Sequence, residues 1–116
     1  MKDTTERVPL LKGTLDLLIL KALTWGPAHG YGISVWLDMH ADGAFQVDDS
    51  ALYQALQRIE GRGLLSAGWS TTENNRRARY YRLTAAGRQK LKAETATWLR
   101  YTRSVTLILS MVHRSA

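Results

Sequence analysis

The spacing of apolar residues predicts four helices in this 116-residue chain, with one pair of extended segments between the third and the fourth. The first helix is predicted over residues 14–25, where Gly26 and Pro27 follow as helix-ending residues. The second is predicted over residues 30–40 and the third over residues 50–60. The apolar positions of the first helix follow an i, i+3, i+4, i+7, i+8 pattern: Leu15, Leu18, Ile19, Ala22 and Leu23.

The two extended segments cover residues 64–70 and 78–83 and contain aromatic residues that favour strands. Asn74 and Asn75 lie in the polar loop between them, and asparagine tolerates the left-handed conformation of a tight turn. The segments therefore predict a β-hairpin. Thr84 is a candidate cap for a long last helix over residues 85–112.

The order of three helices, a hairpin and a long helix is typical of a winged helix-turn-helix protein. Helices two and three form the helix-turn-helix in this arrangement, and the hairpin is the wing. We therefore predict a mainly α fold with a small β-hairpin, in the α+β class. A winged helix-turn-helix DNA-binding domain is predicted over residues 10–84, followed by a C-terminal dimerisation helix over residues 85–113.

The positive charge is concentrated in the second half of the chain. Residues 1–50 hold four Lys or Arg against seven Asp or Glu, net −3, whereas residues 51–116 hold twelve against three, net +9. Such a basic half favours a polyanionic partner, although a solvated basic surface is the alternative. The absence of cysteine excludes disulfides, thiol catalysis and cysteine-ligated metal sites. We see no targeting signal or membrane span and expect a soluble, cytoplasmic protein.

The third predicted helix has one apolar and one polar face. Leu52, Ala55, Leu56 and Ile59 form the apolar stripe expected to face the core. The opposite side is suited to base edges and phosphates, because Gln pairs with adenine and Arg with guanine or phosphate. The alternative is a solvated surface helix. The candidate DNA-binding residues here are Ser50, Gln54 and Gln57, flanked by Tyr53 and Arg58.

The predicted hairpin carries four arginines within seven residues, namely Arg76, Arg77, Arg79 and Arg82. Because strand residues two apart share a face, Tyr81 and Leu83 are expected to point into the core and leave the loop-end arginines exposed. Asn75, Arg76, Arg77 and Arg79 are therefore candidate DNA contacts, to phosphates or in a minor groove. The alternative is an edge hairpin whose charge prevents aggregation.

The last predicted helix shows a heptad seam, with Leu91, Trp98, Val105 and Val112 spaced by seven and with Tyr101 and Ile108 beside them. We expect this seam to pack against helix one of a second copy, which adds Leu15, Leu18 and Ile19 to the candidate dimer contacts. Packing within one chain is the alternative. Trp98 and Tyr101 are also candidates for a pocket that takes a small apolar or aromatic effector, although such stripes are more often core.

Three stretches of the chain, Leu10–Ile33, Ser50–Leu65 and Arg79–Leu91, together resemble the PadR-like family of bacterial transcriptional regulators. The resemblance rests on the Gly-Thr-Leu-Asp and His-Gly-Tyr-Gly motifs, the Leu-Tyr pair of the third helix and the Tyr-Tyr-Arg-Leu-Thr motif of the second strand. It implies a winged-helix DNA-binding dimer, usually a repressor that an effector releases from promoter DNA. Two positions depart from the family pattern: Gln54 replaces a frequent Pro, and Asn74-Asn75 replaces a glycine-rich wing turn.

No catalytic or metal-binding constellation is evident. His29, His40 and His113 are scattered, and the glycines form no phosphate-binding loop. We expect no enzyme activity and no cofactor. The partners expected are double-stranded promoter or operator DNA and a second copy of the chain, with no membrane. Two other function classes stay open: a winged-helix module that binds proteins without specific DNA binding, and a basic helix at a membrane surface.

Overall fold

The computed structural model of the chain describes residues 8–10 and 13–113. The N-terminal residues in which we saw no targeting signal, and residues 11–12 of the predicted domain, lie outside the described residues. In chain order the elements are β1 (Val8–Pro9), α1 (Thr14–Ala22), β2 (Ala28–His29), α2 (Gly30–His40), β3 (Phe45–Gln46), α3 (Asp49–Gly61), β4 (Leu65–Thr71), β5 (Arg77–Leu83) and α4 (Ala85–Leu109).

The predicted elements are present with small changes at their ends. The first helix is α only to Ala22 and continues as a 3-10 turn over Leu23–Trp25. The second has the predicted bounds, and the third is one residue longer at each end. Asp48 is the N-cap of α3, because its carboxylate accepts a hydrogen bond from the Ala51 backbone N–H at 3.3 Å.

The apolar faces of α1, α2 and α3 meet in a single core. The largest fully buried side chains come from all three helices and the turn after α1: Ile19, Leu23, Ile33, Leu52, Leu56 and Ile59. Burial of each such side chain contributes about 1.5–3 kcal/mol to the stability of the fold. These side chains belong to the predicted apolar faces of the three helices. The core also takes in Tyr81 and Leu83 of β5, which confirms the predicted inward face of the hairpin.

The sheet contains a strand that the sequence did not predict. β4 and β5 pair antiparallel from Leu65 opposite Leu83 to Thr71 opposite Arg77, which is the predicted hairpin. β2 pairs with the other edge of β5, with His29 opposite Tyr80. A two-residue strand has no period of its own, so only this long-range pairing defines it. A second small sheet joins β1 and β3 in parallel.

The helix α4 is attached to the domain at its N-terminal end. Thr84 caps it, because the hydroxyl of Thr84 accepts from the Gly87 N–H at 3.0 Å and donates to the Gly63 carbonyl at 2.7 Å. Leu91 packs against the core, and α4 also packs along α1. The prediction that Val112 lies on this helix is wrong: the helix ends at Leu109, and Val112 follows it at 92% exposure.

Candidate nucleic-acid interface

The outer face of α3 is polar and open to solvent. Ser50, Gln54 and Gln57 are exposed, whereas the opposite stripe of the helix is buried in the core. The amide nitrogen of Gln54 lies 3.5 Å from the hydroxyl of Ser50, one helical turn away. Hydroxyl and amide groups therefore stand side by side on a rigid helix, in an arrangement able to hydrogen-bond base edges.

The side chain of Tyr53 on α3 packs against the start of α2. A Cβ atom at Gly30, the first residue of α2, would lie 2.5 Å from the hydroxyl oxygen of Tyr53. Glycine is therefore required at position 30 if the Tyr53 ring is to lie over the α2 backbone. The ring remains 48% exposed, so one side packs against α2 while the other faces solvent beside the polar face of α3.

Arg58 is held by an ion pair within the domain. Its guanidinium contacts the carboxylate of Asp16 on α1 at 2.5 Å, with a second hydrogen bond from Nε at 3.3 Å. The hydrogen bond and the negative charge of Asp16 raise the pKa of Arg58. The sequence placed Arg58 among free DNA-contacting cations, and the structure instead shows it paired with a carboxylate. Asp16 was not among the candidate site residues, because its partner lies 42 positions away in the chain.

The tip of the wing is a short closed turn. The Thr72 N–H donates to the Arg76 carbonyl at 2.7 Å, and the Asn75 N–H donates to the Thr72 carbonyl at 2.9 Å. Asn75 has a φ of 62°, which is the left-handed conformation expected of an asparagine in this loop. Both Asn75 and Arg76 are exposed at this tip.

The arginines of β5 differ in their surroundings. Arg79 points toward α3 and contacts the carboxylate of Glu60 at 2.6 Å. Arg77 lies closer to the tip, with its guanidinium carbon 5.3 Å from the centroid of the Trp69 ring on β4. Burial raises the pKa of the nearby Tyr81 hydroxyl, and the positive charge of Arg79 partly opposes that increase. Arg79 is therefore paired with a carboxylate, whereas Arg77 forms a cation–π contact with an indole.

The Glu60–Arg79 contact places the two candidate surfaces side by side. Glu60 belongs to the helix that carries Gln57, and Arg79 belongs to the strand that carries Arg77. A charge-assisted hydrogen bond at 2.6 Å between them fixes the wing against the end of α3. The polar helix face and the cationic wing thus form one continuous surface.

The predicted dimer residues fall into two groups. Ile19 is completely buried in the core of its own chain, so the prediction that it contacts a second copy is wrong. Leu15, Leu18 and Leu91 pack partly against the same core. The seam beyond Trp98 is different, because Tyr101 and Ile108 are 61% and 68% exposed and Val105 is also exposed.

Trp98 and Tyr101 lie together at a groove between α1 and α4. Their ring centroids are 6.2 Å apart. The groove has a volume of about 340 Å³, and Leu17 and Glu94 also line it. It is open to solvent along one side in a single chain.

Residues 19–93 match the transcriptional regulator PadR-like family, a span that covers the helix-turn-helix, the wing and the start of α4. The chain belongs to the PadR-like family of transcriptional regulators. The family resemblance, the winged-helix fold and the expectation that the protein is not an enzyme are thereby confirmed. PadR-like regulators bind DNA, so this is a DNA-binding regulator of transcription.

Solved structures of transcriptional regulators have the same fold as this chain. A transcriptional regulator from Clostridium thermocellum is 28% identical and superposes with a TM-score of 0.75 over 86% of this chain and 93% of its own. A PadR family regulator from Clostridium difficile is 25% identical, with a TM-score of 0.73 over 84% and 100% of the two chains. A PadR family regulator from Eggerthella lenta is 30% identical, with a TM-score of 0.70 over 87% and 86%.

Two residues of this PadR-like surface were missed as site residues in the sequence. Neither Trp69 nor Glu60 was among the candidate DNA-binding residues predicted from the sequence. Arg77 and Arg79 lie on the face of β5 that also carries buried Tyr81, and this alternation is the signal that could have indicated contacts with other elements, although we expected both arginines to be exposed. Among the described residues, none of the helices could span a bilayer, and no group of His, Asp and Glu side chains is placed to bind a metal ion.

Proposed function

We propose that this chain is a homodimeric repressor that binds operator DNA through α3 and the wing and is released by an effector. The observation that most directly supports DNA binding through α3 and the wing is the Glu60–Arg79 contact, because it aligns the polar face of α3 with the cationic wing. A regulator of this kind works in the cytoplasm, where it meets the chromosome.

In this proposal α3 reads the sequence. Gln54 and Gln57 lie in the major groove and pair with base edges, each good pair giving about 1–3 kcal/mol of discrimination. Ser50 lies beside Gln54 and extends the same polar row. The exposed side of the Tyr53 ring lies next to them and forms part of the same DNA-binding surface. The Gln54 side chain stands where the family often has proline, so it adds a hydrogen-bonding group to the reading surface.

The wing supplies affinity rather than sequence preference. Asn75 and Arg76 at the tip and Arg77 behind them are exposed and meet backbone phosphates. Arg58 and Arg79 are paired with carboxylates in the free protein, so we assign them to shaping this surface. Phosphate contacts release counterions, and each one makes binding more sensitive to salt.

The two roles are separable by mutation. In fluorescence anisotropy titrations, Arg76→Ala with Arg77→Ala should weaken binding to every duplex and flatten the dependence of affinity on salt. Gln54→Ala and Gln57→Ala should leave the salt dependence unchanged and alter preference at particular base pairs. Arg88→Ala, which removes an exposed arginine from the first turn of α4, is a matched control for charge.

A wild-type protein that binds no duplex more tightly than random DNA at moderate salt would refute this assignment.

The alternative role as a protein-binding module has one observation in its favour. Tyr31, Val35 and Met39 follow one another by four residues along α2 and are all exposed. Retention of a protein partner after removal of the wing arginines, without DNA binding, would support that alternative.

The dimer is proposed to form along α4. This helix is about 37 Å long at 1.5 Å per residue, and its second half extends beyond the core with Tyr101, Val105 and Ile108 exposed at heptad-related positions. Such a seam is self-complementary in a two-fold dimer, where partly buried Leu15 and Leu18 of α1 flank the contact. Two copies would place their α3 helices in half-sites about 34 Å apart.

Light scattering should therefore report twice the 13.1 kDa mass of one chain at micromolar concentration. Ile108→Glu should shift the protein toward a single chain, whereas the same change at exposed Arg103 should not, because Arg103 lies off the seam. A wild-type mass of one chain would refute the dimer and the two-half-site geometry.

The effector is proposed to bind at Trp98 and Tyr101. The groove between α1 and α4 is aromatic and open on one side, where a second copy would close it. A flat apolar or aromatic molecule fits such a site, because stacking on the rings adds to apolar burial. Quenching of Trp98 fluorescence by aromatic ligands, together with release of DNA, tests this. Unchanged quenching in Trp98→Ala would refute it.

A further inference from the structure

The cation–π pair of Trp69 and Arg77 lies on the side of the wing that faces α3. Trp69 is opposite Arg79 in the β4–β5 register, and Thr71 is opposite Arg77, so Trp69 and Arg77 are diagonal neighbours on one face of the hairpin. Arg79 on that face contacts Glu60 of α3, and Tyr81 below it is buried in the core. The indole and the guanidinium therefore continue the surface that begins with α3.

The indole remains largely uncovered. Trp69 is 60% exposed, although tryptophan carries a large apolar area that normally favours burial. Its contact with Arg77 is a cation–π interaction, which restricts the rotamers of a long flexible side chain. A guanidinium that lies over a ring makes this contact without using its N–H groups as donors to an acceptor, so they stay available for hydrogen bonds.

Arg77 also differs from Arg58 and Arg79 in having no carboxylate among the residues that the structure describes within ion-pair distance. A guanidinium that is oriented by a ring and left without an anion is suited to a phosphate, which it binds with paired N–H groups. Orienting the side chain before binding lowers the entropy lost on contact.

We propose that Trp69 is a positioning residue for DNA binding: its indole holds Arg77 in the orientation that contacts a backbone phosphate. The inference rests on the proposed DNA-binding role of the wing. It assigns Trp69 an effect on affinity that acts through Arg77 and carries no charge of its own.

The test uses the full chain and one fluorescein-labelled duplex in anisotropy titrations across a salt series. Arg77→Ala should weaken binding and reduce the slope of log affinity against log salt by about 0.9. Trp69→Ala should weaken binding about two- to fivefold with the slope unchanged, because the charge remains. The double variant should bind no more weakly than Arg77→Ala alone, and Trp69→Phe should restore most of the affinity.

Trp25→Ala is the matched control. Trp25 is 70% exposed, and its ring lies 5.6 Å from the ammonium of Lys21, so it is also an exposed tryptophan in a cation–π pair but lies outside α3 and the wing. Its removal should leave DNA affinity unchanged. The unfolding midpoints of Trp69→Ala and Trp25→Ala should stay close to that of the wild type. A change in DNA affinity then reflects a lost contact and not a lost fold.

Three results would overturn the proposal: unchanged affinity in Trp69→Ala, a reduced salt slope in that variant, or a double variant whose loss equals the sum of both single losses. In each of them wild-type protein still binds DNA, so the proposed function stands. A wild-type protein that binds no duplex would instead refute the proposed function together with this inference.

Discussion

Replacing Gly87 with alanine should destabilise the junction between α4 and the winged-helix domain. Gly87 is buried in the first turn of α4, where an added Cβ would overlap the carbonyl oxygen of Leu64 and lie 3.1 Å from Cδ2 of Leu83. The Leu83 methyl can move, but the Leu64 carbonyl is backbone and accepts a hydrogen bond from the Thr84 N–H at 3.2 Å. The start of α4 must therefore shift, and that hydrogen bond must weaken.

The expected loss of stability follows from three contributions. Overpacking against backbone costs up to about 3 kcal/mol. The weakened Thr84–Leu64 hydrogen bond adds about 1 kcal/mol. Alanine in place of glycine within a helix returns about 1 kcal/mol. The net loss is roughly 3 kcal/mol, which lowers the unfolding midpoint of a domain of this size by roughly 10 °C.

Urea and thermal unfolding at one fixed protein concentration measure this change, since a dimer makes the midpoint concentration-dependent. Gly61→Ala is the matched control, because Gly61 also lies in a helix but a Cβ there meets nothing within 4 Å. That variant should gain about 0.4–1 kcal/mol. The opposite signs are the test: a Gly87→Ala variant as stable as wild type would refute the close approach of α4 to Leu64.

Two further changes test the surface formed by α3 and the wing. Glu60→Gln weakens the contact that holds the wing against α3, so duplex affinity should fall without a reduced salt slope, while stability falls by no more than ~1 kcal/mol because the pair is partly solvated; anisotropy and urea unfolding measure both, and unchanged affinity would contradict the assignment of Arg79 to shaping this surface. Gly30→Ala should push the Tyr53 ring off α2 and weaken DNA binding severalfold, with a stability loss of about 1 kcal/mol that is smaller than at Gly87, because a half-exposed side chain can rotate away. Wild-type affinity in that variant would show that the position of Tyr53 is immaterial.

Much of the architecture was predictable from local patterns. The bounds of α2 agreed with the prediction because its apolar face lies within the helix and the helix-ending residues Ala41, Asp42 and Gly43 follow it directly in the chain. The hairpin agreed for the same reason, with Asn75 in its left-handed turn. The end of α4 was predicted too late, since the heptad pattern runs on to Val112 while the helix stops at Leu109.

The candidate surface was predictable in part. Exposure of Ser50, Gln54 and Gln57 followed from the 3.6-residue period, because that period alone decides which side of an amphipathic helix is buried. The same period placed Ile19 on a face with Leu15 and Leu18. It did not show that the chain's own core would cover Ile19 completely, because coverage depends on where α2 and α3 pack.

The order of elements, the two faces of α3 and the excess of positive charge in the second half of the chain all follow from the amino-acid sequence. These properties depend on residues within a turn or a strand of one another. Which arginines are paired with a carboxylate depends instead on contacts between distant elements. Arg58 meets a carboxylate 42 residues away and Arg79 one 19 residues away, while Arg77 lies over an indole across the hairpin. The number of charged residues can be read from the sequence. The partner of each charge depends on how the elements pack, which no local pattern encodes.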